Sequence, residues 1–269
     1  MRSLKAFIFY LLLFVISSCA PKPYAETNKA HKKQAKQLAA VIKETPLKDS
    51  FATATWVGTT NFNLRKPNFV IIHHTAQKSC EQTLKTFTLT RTQVSSHYVI
   101  CKDGTIYHML NDYLRAWHGG VSKWGNTTDI NSSSIGIEID NDGYEGFSEA
   151  QLSSLTNLLG HLKTAFGIPT ANFIGHADIA PTRKNDPNVN FPWQRLSEQG
   201  FGIWWSDTTN LDVPVEFNSV QGLRIIGYDI RDSTAAIQAF KRKFLGQDKS
   251  TTLSEADRKV LYSLYRKIE

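Results

Sequence analysis

The chain is poor in the features that mark nucleic-acid binders and membrane-spanning proteins. Its 269 residues carry a formal charge of +7, yet there is no arginine-rich run, no zinc knuckle and no RNA-binding motif. So diffuse an excess argues for anionic surfaces or polymers, and no nucleic-acid partner is expected. Internal repeats and low-complexity segments are absent. The one apolar run of note, from Ala6 to Ile16, is too short to span a bilayer. Cysteine is scarce, three residues in all. Cys19 is set aside below, so Cys80 and Cys101 leave room for one disulfide at most. The sequence leaves that bond and a pair of buried thiols equally open.

What is present begins at the N-terminus. "MRSLKAFIFYLLLFVISSCA" has a basic start, an apolar run and small residues before a cysteine, the layout of an export signal. It resembles the lipobox of bacterial lipoproteins, in which the cysteine becomes the acylated N-terminus. Residues 1–18 are therefore expected to be a signal peptide and Cys19 the lipidation site. Ala20, not aspartate, follows the cysteine, and in Gram-negative lipoproteins that points to the outer membrane, facing the periplasm. Loss of Arg2 and Lys5 with the signal takes the charge from +7 to +5. Residues 19–50, rich in lysine, alanine and glutamine, read as a tether, helical in part and without a sustained apolar face. Beside a lipid anchor it suits an anionic surface, or serves as a soluble spacer.

From about residue 51 the pattern turns globular, and 41% apolar content supplies a sizeable core. "NFVIIHHT" is a short, buried strand. "SCEQTLKTFTL" is a helix with Ser79 as its cap. "SSHYVICKDGTIYHML" is two strands around Asp103-Gly104, a hairpin signal. "SSIGIEID" is an apolar strand interrupted by Glu138. In "FSEAQLSSLTNLLGHLKTAFGIP", Ser148 and Gln151 form a capping box. Leu152, Leu155, Leu159, Leu162 and Phe166 recur at helical spacing, and Gly167 ends the helix. His161 on this helix reads as structural or exposed. "NFIGHADI" adds a strand and "FPWQRLSEQG" a late helix. Strands and helices intermixed in this way give an α/β (α+β) domain over residues 51–206. Residues 207–269 read as a small three-helix domain, with helices near Val220–Tyr228, Ser233–Leu245 and Ser254–Ile268. Ile237, Phe240, Phe244, Leu261, Leu264 and Ile268 would share its core. It carries no candidate ligand or base, so the chemistry is expected not to need it.

Candidate chemistry gathers around "HADIAPTRKNDP". A catalytic zinc site needs about three protein ligands and one open position. His176 ends one strand, Asp186 lies ten residues on between Pro181 and Pro187, and the pair His73-His74 ends another. Strand ends of one sheet converge, and histidine with carboxylate suits zinc. Adjacent strand residues face opposite sides, so only one of His73 and His74 can point at the site, and periodicity does not choose. A carboxylate such as Glu138 within an apolar strand needs a partner or a task. Beside activated water it would be a general base, and Lys184 would donate to an oxyanion. Trp117 and His118, in "RAWHGG", are candidates for the groove that takes sugar or peptide. His97 and His108 read as structural.

The motifs "IIHHTA", "SSHYVI", "AWHGG", "SIGIEI" and "HADIAPTRKNDP", in that order, resemble the zinc N-acetylmuramoyl-L-alanine amidases of the peptidoglycan-recognition and phage-lysozyme-like superfamily. The likeness covers about residues 58–205. It implies a central mixed sheet flanked by helices, one Zn2+ per chain on His73, His176 and Asp186, Glu138 as catalytic base and Lys184 as oxyanion stabiliser. It implies hydrolysis of the amide between N-acetylmuramic acid and L-alanine in peptidoglycan or muropeptides. The tail, notably "GYDIRDSTAAIQAFKRKF", resembles a helical peptidoglycan-binding module. A monomer is expected. Two other readings stand beside it: a non-catalytic peptidoglycan-binding receptor, against which the full ligand set argues, and a zinc peptidase acting within the stem peptide, excluded only by resemblance.

Overall fold

A computed structural model describes residues 23–43, 59–246 and 250–268. The signal peptide and Cys19 lie outside the described residues. The chain divides into two compact units, Met1–Phe62 and Asn63–Glu269. Among its described residues the first holds one helix, α1 (Ala25–Lys43), with Glu26 in its first turn, Lys43 in its last and no buried residue. No described helix is long and apolar enough to cross a membrane.

The second unit is built on five strands: β1 (Phe69–His74), β2 (Tyr98–Ile100), β3 (Ile106–His108), β4 (Ser134–Ile139) and β5 (Phe173–Gly175). Their order is β3-β2-β4-β1-β5. β1 runs parallel to β4 and β5, β2 runs parallel to β4, and β2 and β3 pair antiparallel. The sheet is therefore mixed, as expected. The antiparallel pair turns at Gly104, whose φ of +85° is one that a side chain would resist.

Helices α2 (Cys80–Thr88), α3 (Ile130–Ser133), α4 (Glu149–Phe166), α5 (His176–Ile179) and α6 (Trp193–Glu198) accompany the sheet. Ser79 caps α2 by accepting from the Gln82 N–H. α4 starts on the expected capping box of Ser148 and Gln151 and stops at Gly167 in a left-handed conformation. Its Leu155, Leu159, Leu162 and Phe166 pack with Val70, Ile72, Ile135, Ile137 and Ile139 in the main core. Each such fully buried aliphatic side chain contributes about 1.5–3 kcal/mol, enough to fix which strand face turns inward. Cys80 and Cys101 are joined as a disulfide, with Cα atoms 5.4 Å apart.

Period-two alternation divides the residues of β1 and β4 between the sheet's faces. Val70 and Ile72 belong to the main core, whereas Phe69 and Ile71 pack with Ile130, Ile174 and Ile179 in a second cluster. His73 continues the Phe69–Ile71 side and His74 the other. On β4, Ile135, Ile137 and Ile139 point into the main core, leaving Ser134, Gly136 and Glu138 on the opposite face.

Helices α7 (Ser219–Ile226), α8 (Ser233–Leu245) and α9 (Glu255–Ile268) follow near the expected positions. Leu223, Ile226, Phe240, Phe244, Leu261 and Leu264 are buried together, with Trp124, Trp204 and Trp205 packed against them. Ile268, expected in that core, is exposed.

Candidate metal centre and active site

The ends of β1 and β5 and the loop after α5 bring His73, His176 and Asp186 to one point. His73 Nδ1 lies 2.9 Å from His176 Nδ1, and each of these nitrogens is 3.0 Å from Asp186 Oδ2. All three residues are buried, and they are close enough for a metal site. The loop closes on itself to achieve this. The Asp186 carbonyl accepts from the Ala177 N–H at 2.7 Å, and Arg183 and Lys184 donate backbone N–H groups to the Ala180 carbonyl.

The partners of the outer ring nitrogens fix where the protons sit. His176 Nε2 is 3.2 Å from the Gly119 carbonyl, which can only accept, so that nitrogen carries the hydrogen and the neutral ring leaves Nδ1 bare. For His73 the argument runs through three residues. The Ser134 hydroxyl donates to the Ile130 carbonyl at 2.6 Å. Its oxygen is then free to accept from His118 Nε2, 3.1 Å away. His118 Nδ1 is thereby the acceptor, and His73 Nε2, at 3.1 Å, donates to it. His73 Nδ1 is bare in consequence. Two imidazole lone pairs and a carboxylate oxygen converge with no proton among them, an arrangement that a cation stabilises and that suits zinc.

The electrostatics agree. Burial, followed by His176, lowers the His73 pKa to about 4. Burial, then His73, holds His118 well below the usual histidine range. Burial alone would raise the Asp186 carboxyl, but the adjoining His176 and His73 rings outweigh it and hold the group well below the carboxylate range. The His73 ring thus resists protonation while the Asp186 carboxylate stays ionised, the states in which each can bind a metal.

Glu138 pairs in register with His73 across β4 and β1, and its Oε1 is 4.0 Å from His73 Nδ1. Burial, then the Asp186 charge, pushes its carboxyl well above the usual range, and Lys184 opposes this. Lys184 is half-buried and close enough to act on both Glu138 and His73. Trp117, 50% exposed, and Val121, 87% exposed, lie on the loop that contains His118. His118 itself is buried, with both ring nitrogens engaged inside the protein. His74 accepts the Asn188 N–H at 3.1 Å and so steadies the chain just beyond Asp186. His97 is buried, accepting the Gly136 N–H at Nδ1 and lying 3.0 Å from the Leu114 carbonyl at Nε2. His108 and His161 are exposed.

Several contributors escaped the sequence reading. Asn131 Oδ1 accepts from the N–H groups of His118 and Gly119. Arg183 donates to the carbonyls of Gly119 and Val121, tying the ligand loop to the His118 loop. Ser134 and Gly136 carried one signal, the alternation of small residues with isoleucine in "SIGIEI", which marks a strand with one packed face and one face kept open.

Comparison with known proteins bears on this site. The family model described as N-acetylmuramoyl-L-alanine amidase matches residues 63–189. The N-acetylmuramoyl-L-alanine amidase AmiD of Escherichia coli (strain K12) is 33% identical over 207 residues, covering 65% of this chain and 74% of that protein. This chain belongs to the N-acetylmuramoyl-L-alanine amidase family. The amidase is also 36% identical to the 1,6-anhydro-N-acetylmuramyl-L-alanine amidase AmpD of Citrobacter freundii over 104 residues, 39% of this chain and 56% of that one. Its fold matches the solved complex of E. coli AmiD with anhydro-N-acetylmuramic acid-L-Ala-D-gamma-Glu-L-Lys, with a TM-score of 0.68 at 27% identity over 78% of this chain and 93% of that one. It matches AmpDh3 of Pseudomonas aeruginosa in complex with anhydromuramic pentapeptide, with a TM-score of 0.68 at 26% identity over 80% and 97%. The likeness is to hydrolases, and the receptor reading is set aside.

Proposed function

We propose that this amidase uses one zinc ion, held by His73, His176 and Asp186, to cleave the bond between the lactyl carbonyl of N-acetylmuramic acid and the nitrogen of L-alanine. The observation that carries the reading is the convergence of two bare Nδ1 atoms and a carboxylate oxygen within 3.0 Å of one another. Zinc bound there would polarise the scissile carbonyl and the attacking water. Glu138, in register with His73 and 4.0 Å from its Nδ1, is placed to accept the proton of the attacking water. It can return the proton to the departing alanine nitrogen. Lys184, near enough to influence Glu138 and His73, donates to the oxygen on which charge develops. Trp117, half-exposed beside His118, presents a flat apolar surface to sugar or peptide. His118 serves from behind, by keeping the His73 proton on Nε2.

Muropeptides or peptidoglycan are the substrates we assign, in keeping with the compounds bound in the related AmiD and AmpDh3 structures. We further propose that residues 1–18 direct export and that Cys19 is lipidated, so that the enzyme works on the periplasmic side of the outer membrane. That part rests on the sequence "ISSCA". Mass spectrometry of products from purified muropeptides, with and without chelator, tests the reaction. Free peptide beginning in L-alanine is expected only when zinc is present. Cleavage inside the peptide, or cleavage that survives removal of all metal, overturns the proposal.

A further inference from the structure

Two residues before Asp178 stands His176, the first residue of α5. Asp178 is 2% exposed, so its carboxylate must find its partners inside the protein. It has three. Oδ2 accepts from the Gly175 N–H at 2.8 Å and from the Lys243 ammonium at 2.9 Å, and Oδ1 accepts from the Tyr228 hydroxyl at 2.7 Å. The bond to Gly175 caps α5 at the point where His176 begins. The other two donors come from the C-terminal helical region, Lys243 from α8 and Tyr228 from just after α7.

Lys243 also reaches the other end of the ligand loop. Its ammonium lies 4.2 Å from the centroid of the Trp193 ring. Trp193 and Pro187, which follows Asp186 directly, both crowd Gly175: a Cβ placed there would lie 3.1 Å from Trp193 Cζ2 and 3.0 Å from Pro187 Cδ. One buried cation therefore braces the segment on both sides, near His176 through Asp178 and near Asp186 through Trp193.

We infer that Lys243 and Tyr228 are positioning residues for the metal ligands, and that the C-terminal helices are a working part of the active site as well as a module beside it. The inference rests on the zinc reading above. It replaces the expectation that the chemistry does not need these helices. A clamp of this kind acts by keeping the two ligand atoms at a fixed separation when the metal leaves, so its loss weakens metal affinity ahead of turnover.

The same helix supplies a matched control. Lys241 makes a buried ion pair of its own, 2.7 Å from Asp257, and Asp257 lies on α9 within the C-terminal region. Lys243→Met and Lys241→Met each remove one buried cation from α8, but only the first touches the ligand segment. Zinc affinity is to be measured on the full chain by competition with a chromogenic chelator, alongside unfolding midpoints. We expect Lys243→Met to bind zinc about 10-fold more weakly and to regain most of its turnover at high zinc. Lys241→Met should lose stability and keep its zinc affinity. Tyr228→Phe, which removes one oxygen, should weaken zinc binding in the same direction, and it decides the matter if Lys243→Met does not fold. Unchanged affinity in both Lys243→Met and Tyr228→Phe overturns the inference, as does an equal loss in Lys241→Met. Failure of the unaltered protein to bind zinc overturns the metal reading itself and is seen separately.

Discussion

The ring of His118 occupies the space that a side chain at position 136 would need. A Cβ on Gly136 would lie 2.5 Å from His118 Cγ, closer than real Cβ contacts come. Gly136→Ala is therefore expected to push His118 off His73 and to lower zinc affinity and activity together. The same crowding costs stability, so zinc binding is compared on the folded fraction alone. Zinc titration of the folded variant checks this, and wild-type affinity would show that the crowding is relieved elsewhere.

His118→Phe keeps the ring and removes the acceptor for the His73 Nε2 proton. Without it His73 is free to place its hydrogen on Nδ1, the atom that faces His176 and Asp186. Loss of such an outer partner typically costs about 10–100-fold in metal affinity. Ser134→Ala, one link further along the same chain, should have a smaller effect in the same direction. A larger effect at Ser134 than at His118 would refute the order of the chain.

Glu138→Gln retains shape and removes the proton acceptor. Zinc content should be unchanged while kcat falls by about 10²–10⁴-fold. Because burial raises the pKa of this carboxyl, activity of the unaltered enzyme should fall as pH drops and the group gains its proton. The residual activity of the variant should lack that acid limb. Near-normal turnover with full zinc would mean that another group takes the proton.

His97 offers a test away from the metal. Burial, above all, lowers its pKa from 6.5 to about 4. The unfolded chain therefore takes up the proton first. The stabilising contribution is fully present above about pH 6.5 and is lost as pH falls toward 4, a difference of about 3 kcal/mol. In urea unfolding of chelator-treated protein, the midpoint should decline between pH 7 and pH 5. His97→Gln should be less stable at pH 7 but should decline more gently. Parallel slopes for the two proteins would refute the assignment.

Cys19→Ser addresses the anchor. The variant is expected to accumulate as an unprocessed or misprocessed precursor without acyl chains, as read by mass spectrometry of the N-terminal peptide. Correct processing and recovery of Cys19→Ser protein with the membrane would rule out the lipobox reading.

Much of the frame was legible because local signals and global packing agree in it. The capping box at Ser148, the stop at Gly167 and the hairpin at Gly104 each depend on a few adjacent residues, and each appears in the structure. The ligand trio was approachable from sequence because its residue types are rare together, although the choice of His73 over His74 came from family resemblance. In the structure that choice follows from strand alternation once Ile71 and Ile72 are assigned to opposite faces. The supporting layer was not legible. His118, Ser134 and Asn131 hold their places through contacts 12 to 45 residues apart in sequence, and a lone serine or asparagine carries no mark of such a partner. Lys243 carried no signal of its own in the sequence. Only its burial against Asp178, 65 residues away, gives it a different meaning.

Trp117 and His118 are neighbours in the chain under opposite constraints. His118 is fixed by partners on both ring nitrogens, so nearly any replacement there disturbs the metal site. Trp117 stands half in solvent, and exposed positions of that kind usually accept substitution within about 0.5 kcal/mol. Natural variation and laboratory selection can therefore redraw what this enzyme holds, one residue away from the parts that decide whether it reacts at all. Changes in substrate preference should collect at Trp117 and Val121, while the loss of all function should collect at position 118 and behind it.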